Sequence, residues 1–162
     1  MERDAIFDAT GAYRYALTRR WRSSGRQVAF VLLNPSTADA ERDDPTIRRC
    51  IGFARAWGFA ALEVVNLFAY RATTPVLLKK AAQPIGEDND RYLLAAQARA
   101  GRLVVAWGIH GPWLGRERVV LGLLSQPGGR LSCLGLTKHG HPRHPLFLPA
   151  GLRTRPFPTQ RA

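Results

Sequence analysis

Cysteine is scarce in this sequence of 162 residues, which contains only Cys50 and Cys133, far apart and each inside an apolar segment. A chain of this length can bury a core without disulfide or metal cross-links. The pattern therefore favours two buried thiols in a reducing compartment over a zinc site or a catalytic cysteine.

Long hydrophobic runs are missing as well. No apolar run reaches the roughly 18 residues that a membrane span requires, and residues 1–10 carry acids where a signal peptide would carry its apolar region. No internal repeat or low-complexity tract is present. The 46% of hydrophobic and 22% of charged residues are typical of a globular chain rather than a disordered one. We therefore expect a cytoplasmic protein that does not bind a membrane.

Acidic residues are few. Twelve Asp and Glu stand against 24 Lys and Arg, which gives a net charge of +12 and a pI of about 11.1. Such a charge favours a polyanionic partner, because clustered cations attract phosphates and binding releases condensed counterions. Of the 24 basic residues, 21 are arginine, a bias that a GC-rich genome also produces without any function. The expected partner is nucleic acid, DNA in the first place, or a nucleotide, and the oligomeric state stays open.

The hydrophobic pattern predicts a hairpin followed by strand-then-helix units. The hairpin covers residues 4–20, the predicted strands are 28–33, 62–66, 103–107 and 131–136, and the predicted helices are 45–57, 89–100 and 112–124. The strands are apolar without alternation, which is typical of parallel strands buried on both faces. We expect a single domain over residues 1–162 with a three-layer α/β/α fold, a four-stranded parallel sheet and an N-terminal β-hairpin. Residues 1–24 would form the hairpin extension and residues 147–162 an extended tail.

Polar clusters follow all four predicted strands. Right-handed crossovers place the carboxyl ends of parallel strands at one edge of the sheet, and ligands bind at that edge in open sheets of this kind. Asn34, Asn66, His110 and His141 belong to the four clusters. The sequence therefore predicts the working site at the carboxyl edge of the sheet.

The first cluster begins with Asn34, which stands before a proline and can direct its amide out of a tight turn. Ser36 adds a hydroxyl group. Asp39 belongs to a set of aspartates that could gather a divalent cation or repel DNA. The alternative is a turn in which these side chains only satisfy backbone amides.

The second cluster begins with Asn66, directly at the end of a strand. An amide is costly to bury without partners, and its donor and acceptor together suit the edge of a pyrimidine or another cyclic amide. Tyr70 could stack on a base, and Arg71 could hold a phosphate. Alternatively, Asn66 ties its own loop down.

The third cluster contains His110 between Gly108 and Gly111, where a helix N-terminus would present free amides to an anion. This pattern is common in α/β turns. His110 is therefore first a residue that leads into a helix and second a group that faces a ligand.

The fourth cluster is the densest, with three histidines, Lys138 and Arg143 inside residues 137–146. A basic loop stiffened by proline is expected to contact phosphate, with His141 or His144 acting on a developing anion. No acidic or cysteine residue stands at a spacing that would complete a zinc site. We expect no metal and no cofactor.

Several long strings of the sequence resemble a known protein family. The strings NPSTAD, DDPTIRRC, VNLFAYRAT, PIGEDND and GLTKHGHPRHPL resemble a bacterial family defined as a domain of unknown function, DUF1643. The resemblance runs from Tyr13 to Leu146. It implies membership of that family and brings no activity with it.

The order of the motifs is also similar to that of the uracil-DNA glycosylase superfamily, which implies the same fold. Leu33-Asn34-Pro35 resembles the catalytic loop of the mismatch-specific branch, where the Asn positions the attacking water. Val64-Val-Asn-Leu-Phe-Ala-Tyr-Arg71 resembles the string whose Asn reads the base edge, which implies that role for Asn66. Ala106-Trp-Gly108 is similar to the third-strand motif of the superfamily.

The superfamily's final loop donates a hydrogen bond to the base carbonyl and pinches the DNA backbone. His141-Pro-Arg-His-Pro-Leu146 resembles this loop, but Arg143 and His144 replace a single small Ser. His141 and His144 are therefore both candidates for the donor.

The leading hypothesis is a DNA-repair type of hydrolase that cleaves an N-glycosidic bond in DNA or in a nucleotide. Asn34 would orient water, Asn66 would read the base, and His141 or His144 would stabilise the departing base. The small Ser36 would leave room for a damaged base. Two alternatives stay open: a nucleic-acid-binding module without catalysis, and an enzyme acting on a small phosphorylated substrate.

Overall fold

The computed structural model describes residues 1–125 and 130–158. Its strands are β1 (Glu2–Phe7), β2 (Arg14–Arg20), β3 (Gln27–Leu32), β4 (Ala61–Asn66), β5 (Arg102–Val105), β6 (Leu131–Cys133) and β7 (Arg155–Pro156). Its helices are α1 (Pro45–Ala56), α2 (Pro75–Leu78), α3 (Asn89–Arg99) and α4 (Arg116–Leu124), with 3₁₀ turns at Gly108–His110 and Trp113–Gly115. The last residues of the predicted tail, 159–162, lie outside the described residues.

Within the described residues, the strands form one sheet of seven in the order β1-β2-β4-β3-β5-β6-β7. The pairs β4–β3, β3–β5 and β5–β6 are parallel, whereas β1–β2, β2–β4 and β6–β7 are antiparallel. The prediction of an α/β fold is confirmed. The sheet is mixed, however, and it is larger than the predicted four parallel strands.

The two ends of the chain account for the difference. The predicted hairpin is present, but its second strand also pairs with β4, so the hairpin continues the main sheet. The predicted extended tail returns to the opposite edge as β7, where the Phe157 amide donates to the Leu131 carbonyl at 2.8 Å. Phe157 is buried. Burial of this aromatic ring supplies the driving force that an extended tail would lack.

The central strand β3 is buried on both faces, as its unbroken apolar run predicts. Val28, Phe30 and Leu32 pack in one cluster with residues of α1. Ala29 and Val31 pack in a second cluster that includes residues of α3 and α4. Helices therefore cover both faces of the sheet, and the loops at its carboxyl edge are left to form a site.

Local signals explain most helix boundaries. Asp44 caps α1 by accepting a hydrogen bond from the Ile47 amide at 2.9 Å, and Pro45 occupies the first helical position. The helix predicted to begin near residue 112 begins at Arg116 instead. The preceding turn contains Leu114 with a φ of 57°, a left-handed conformation that an α-helix cannot continue through.

Both cysteines are buried, and burial raises the pKa of the Cys50 thiol, so this group stays protonated and unreactive. Among the described residues, no helix combines the length and the apolar character that a membrane crossing requires.

Two buried polar side chains hold the carboxyl end of β4. The Asn89 side-chain amide donates to the carbonyls of Asn66 at 2.9 Å and Leu67 at 3.0 Å. Arg116 donates through Nε to the same Leu67 carbonyl at 2.8 Å and pairs through Nη2 with Asp90 at 2.6 Å. Buried carbonyls require such partners. The first residues of α3 and α4 are thereby fixed against the strand end.

We expect Asn89→Ala to destabilise the protein, because it leaves the Asn66 carbonyl without this donor in a buried position. The expected loss is about 1–3 kcal/mol in the free energy of unfolding, measured by urea denaturation. Glu87→Ala, at an exposed neighbouring position, is the control and should stay within about 0.5 kcal/mol of the unmodified protein. An Asn89→Ala variant as stable as the Glu87→Ala control would contradict the anchoring role.

Candidate functional site

A cavity of about 690 Å³ opens at the carboxyl edge of the parallel strands. The loop after β3, the first residues of α1 and the segment before α2 form part of its wall. The turn after β5, the loop after β6 and Arg14 of β2 complete it. The cavity lies where the sequence places the site, because the carboxyl ends of parallel strands meet at one edge.

The predicted site residues divide into two groups. Those that line the cavity are Asn34, Ser36, His110, Arg143 and His144. Those that lie outside its lining are Asp39, Asn66, Tyr70, Arg71, Lys138 and His141. The cavity thus brings together residues from the loops after β3, β5 and β6, and the roles assigned to both groups stay predictions.

The Asn34 side chain is held in one orientation. Its amide nitrogen donates to the Ala72 carbonyl at 2.8 Å and to the Pro35 carbonyl at 2.9 Å. These two bonds use the donors of the amide and join the loop after β3 to the loop after β4. The side-chain oxygen, which makes no hydrogen bond to another described residue, stays available as an acceptor.

A closed turn in the loop after β6 explains why His144 rather than His141 reaches the cavity. The Thr137 amide donates to the His141 carbonyl at 2.8 Å, and the His141 amide donates to the Thr137 hydroxyl at 3.1 Å. Residues 137–141 therefore fold back on themselves. The chain then returns to the sheet, where the Gly108 amide donates to the Pro142 carbonyl at 2.8 Å, and His144 follows at the cavity wall.

Burial lowers the pKa of the His144 imidazole, and the nearby Asp44 carboxylate offsets this only in part. The lowered pKa favours the neutral form at pH 7. Its Nδ1 accepts a hydrogen bond from the Leu146 amide at 3.2 Å. In a neutral imidazole with Nδ1 as acceptor, the proton is carried on Nε2. His144 is thereby arranged as a hydrogen-bond donor.

His110 lies at the rim of the same cavity. Burial and the neighbouring Lys79 lower its pKa, and its Nδ1 lies 3.2 Å from Lys79 Nζ.

Two apolar side chains complete the rim of the cavity: Ile109 is 61% exposed and Phe147 is 90% exposed. Phe147 has a φ of 69°, a strained conformation for an aromatic residue that is common at ligand-binding positions.

Asn66 is fully buried at 0% exposure. Neither polar atom of its side chain has a hydrogen-bond partner among the described residues. An unpaired buried amide is costly, and in this position it does not line the cavity. Its backbone carbonyl, in contrast, is bonded to Asn89.

Tyr70 and Arg71 line a second, neighbouring cavity of about 440 Å³ that shares Ser36 with the first. Arg71 donates to the carbonyls of Ser36 at 3.2 Å and Gly11 at 3.2 Å, so it connects the hairpin to the loop after β3.

Asp39 accepts hydrogen bonds from the amides of Glu41 and Arg42. These bonds lower its pKa and account for the residue as a loop former.

Sequence reasoning missed Arg14, which lines the main cavity although it belongs to the hairpin strand β2. The alternation of Tyr13, Tyr15 and Leu17 with Arg14 and Ala16 gives no sign of this position, because such a pattern places the arginine on the face opposite the aromatic residues. In the structure that face is covered by the loop after β3, and Arg14 is 2% exposed.

No cluster of three or more His, Cys, Asp or Glu side chains within residues 1–125 and 130–158 is close enough to hold a metal ion.

One comparison with known proteins gives a match. The model of a family described as "Protein of unknown function (DUF1643)" matches residues 14–146. No curated protein and no solved structure matches the chain. The matched range extends from Arg14 to Leu146 and so includes Asn34, His110 and His144.

The unpaired Asn66 amide leads to a stability prediction. We expect Asn66→Leu, a change to an apolar side chain of similar size, to raise the free energy of unfolding by about 1–3 kcal/mol, because a buried amide without partners is removed. Asn34→Leu is the matched control and should lower it, since two hydrogen bonds between loops are lost. Denaturant unfolding of both variants tests this. A less stable Asn66→Leu protein would mean that the amide has a partner.

Proposed function

The chain belongs to the DUF1643 family, and we propose that it is a hydrolase that cleaves the N-glycosidic bond of a nucleotide, free or within DNA. The observation that carries the proposal is that Asn34 and His144 line one cavity at the carboxyl edge of the sheet. Asn34 supplies a hydrogen-bond acceptor in a fixed orientation, and His144 supplies an uncharged hydrogen-bond donor.

These two groups match the demands of the reaction. When an N-glycosidic bond is hydrolysed, the C–N bond breaks and its electron pair leaves with the base. The water oxygen bonds to the sugar carbon, and the proton that the water loses passes through solvent to the departing base. A donor at the base stabilises the developing negative charge, and an acceptor near the sugar holds the water. The Nε2–H of His144 is the donor, and the side-chain oxygen of Asn34 is the acceptor.

The cavity suits a nucleotide in size and character. Its volume of about 690 Å³ lies within the range of about 300–1,000 Å³ that small-molecule sites occupy. Ile109 and Phe147 at the rim offer apolar surface to the flat face of a base. The similarity in motif order to the uracil-DNA glycosylase superfamily favours the same reaction class. Of the two candidate donors, His141 and His144, the one that lines the cavity is His144.

A nucleic-acid-binding module without catalysis is a second candidate, and the net charge of +12 favours it. Such a module would bind DNA with a strong dependence on salt. Its binding would survive Asn34→Ala, and it would release no base from any substrate.

We expect the purified protein to release free base from at least one member of a panel of damaged-base oligonucleotides and free nucleotides. Asn34→Ala and His144→Gln should each lower kcat by about 10²-fold or more, since each removes one group that acts on the transition state. Base release is followed by chromatography and by cleavage at abasic sites.

Asn34→Asp keeps a side-chain oxygen but loses the amide that donates to the carbonyls of Ala72 and Pro35. If the fixed orientation of the acceptor matters, its activity should fall as that of Asn34→Ala does. Unfolding curves of all variants separate loss of chemistry from loss of fold. If no substrate loses its base, or if both variants act at the unmodified rate, the proposal is wrong.

The pH dependence should follow His144. Because its pKa is lowered, the donor stays neutral and the rate should hold as pH falls below the ordinary histidine value of about 6.5. Just below the ordinary histidine pKa, the unfolded chain binds more protons than the folded chain. The free energy of unfolding should therefore decrease as the pH falls through this range. Rate profiles and NMR titration of the imidazole measure both effects.

His139→Gln, a change at an exposed histidine, is the control and should keep the pH–rate profile of the unmodified protein. His144→Gln should flatten the acid limb of that profile, the side where the rate falls at low pH. An acid limb centred at or above about 6.5 would argue against a neutral His144 donor.

A further inference from the structure

Arg14 is the most deeply buried charged group in the wall of the main cavity. Its side chain is 2% exposed, and it lines the cavity together with Ser36, Thr37 and Thr46. A guanidinium stays protonated at neutral pH even here, since burial lowers its pKa only to about 10. Arg14 therefore contributes a fixed positive charge to a wall that also contains the Asp44 carboxylate.

The hydrogen bonds of Arg14 leave most of its donors unused. Nη1 donates to the Ala38 carbonyl at 3.0 Å, and the buried Nε has no partner among the described residues. A guanidinium has five N–H donors. One backbone bond anchors the side chain, and Nε is enclosed by protein. The terminal Nη2, which makes no hydrogen bond to another described residue, is left for a ligand.

The charge of Arg14 is not matched by an ion pair. Arg19 pairs with Asp43 at 2.8 Å, whereas no carboxylate of a described residue lies within ion-pair distance of Arg14. Asp44 is near enough to raise the Arg14 pKa, but its oxygens accept hydrogen bonds from the amides of Ile47 at 2.9 Å and Ala38 at 3.4 Å. Burying a cation in this way costs free energy unless an anion neutralises its charge.

Further donors surround the same wall. Thr46, in the first turn of α1, offers an amide and a hydroxyl group. Pro45 has no N–H, and the Ile47 amide already donates to Asp44. The hydroxyl groups of Ser36 and Thr37 line the cavity close by in sequence. Hydroxyl groups, helix amides and a guanidinium are the groups that proteins use to hold phosphate oxygens.

We propose that Arg14 holds a phosphate monoester of the substrate against the wall of the cavity formed by the loop after β3 and the first turn of α1. The substrate is then a free, phosphorylated nucleotide-type molecule rather than a base within intact duplex DNA, where phosphates stay outside the base pocket. This deepens the proposed function and rests on it for the nucleotide part of the ligand. The anion site itself stands on Arg14.

Inorganic phosphate is the probe for the site. Titration calorimetry should show saturable binding to the full chain, and Arg14→Gln should weaken it roughly ten- to a hundredfold, as expected for lost charged hydrogen bonds. Arg118→Gln, at an exposed position on α4, removes the same net charge and should bind phosphate as the unmodified protein does. Equal binding by the two variants, or no binding by the unmodified protein, would overturn the inference.

A second measurement needs no stable variant. The Nε–Hε resonance of Arg14 in labelled protein should shift on addition of phosphate, and the resonance of Arg118 should not. If Arg14→Gln does not fold, Arg14→Lys keeps the charge, loses the fork and should still bind phosphate more weakly. An unmoved Arg14 resonance contradicts the proposal.

Comparing nucleosides with their 5′-monophosphates separates this inference from the proposed function. Base release from the monophosphate but not from the nucleoside supports both the hydrolase activity and the phosphate site at Arg14. Phosphate binding without any base release upholds the Arg14 site and rejects the hydrolase. Equal release from both substrates, without phosphate binding, upholds the hydrolase and rejects the site.

Discussion

Two buried guanidinium groups on one strand hold the wall of the cavity in place. Arg14 and Arg19 both belong to β2, and both reach the loop that joins β3 to α1. Arg19 pairs with Asp43 at 2.8 Å and donates to the Asp39 carbonyl at 2.6 Å, while Arg14 donates to the Ala38 carbonyl at 3.0 Å. Because buried charges require partners, the hairpin and this loop can take only compatible positions. The mixed sheet thus shapes the cavity, since β2 carries both arginines and Arg14 also lines the cavity.

The opposite side of the cavity depends on close packing rather than on charge. The Trp107 indole is buried and donates to Glu117 at 2.9 Å. A Cβ at Gly111 would lie 2.4 Å from that indole, so only glycine lets the turn after β5 pass over the ring. The Gly108 amide then donates to the Pro142 carbonyl, which joins this turn to the loop that carries His144. The two histidines at the cavity are therefore placed by one connected set of contacts.

The electrostatics of the cavity combine a permanent charge with neutral donors. Arg14 stays charged because a guanidinium cannot lose its proton at neutral pH. At His144 and His110 burial lowers the pKa and so favours the neutral imidazole, and Lys79 adds to this effect at His110. Such a site offers charge for one part of a ligand and hydrogen-bond donors without charge for another. The proposed nucleotide substrate would use both, since an anionic phosphate and a polar base are carried by the same molecule.

The sequence by itself determined the features that depend on neighbouring residues. The apolar run of β3 and the Asp44 cap with Pro45 in α1 follow from local pattern. Tertiary structure decided what depends on distant partners. The extension of the sheet by β2 and β7 requires residues far apart in the chain to meet, and so does the burial of Arg14. The turn that brings His144 rather than His141 to the cavity is fixed by the bond from Gly108 to Pro142. Local patterns carry no information about such long-range contacts, because their energy comes from groups that only the folded chain brings together.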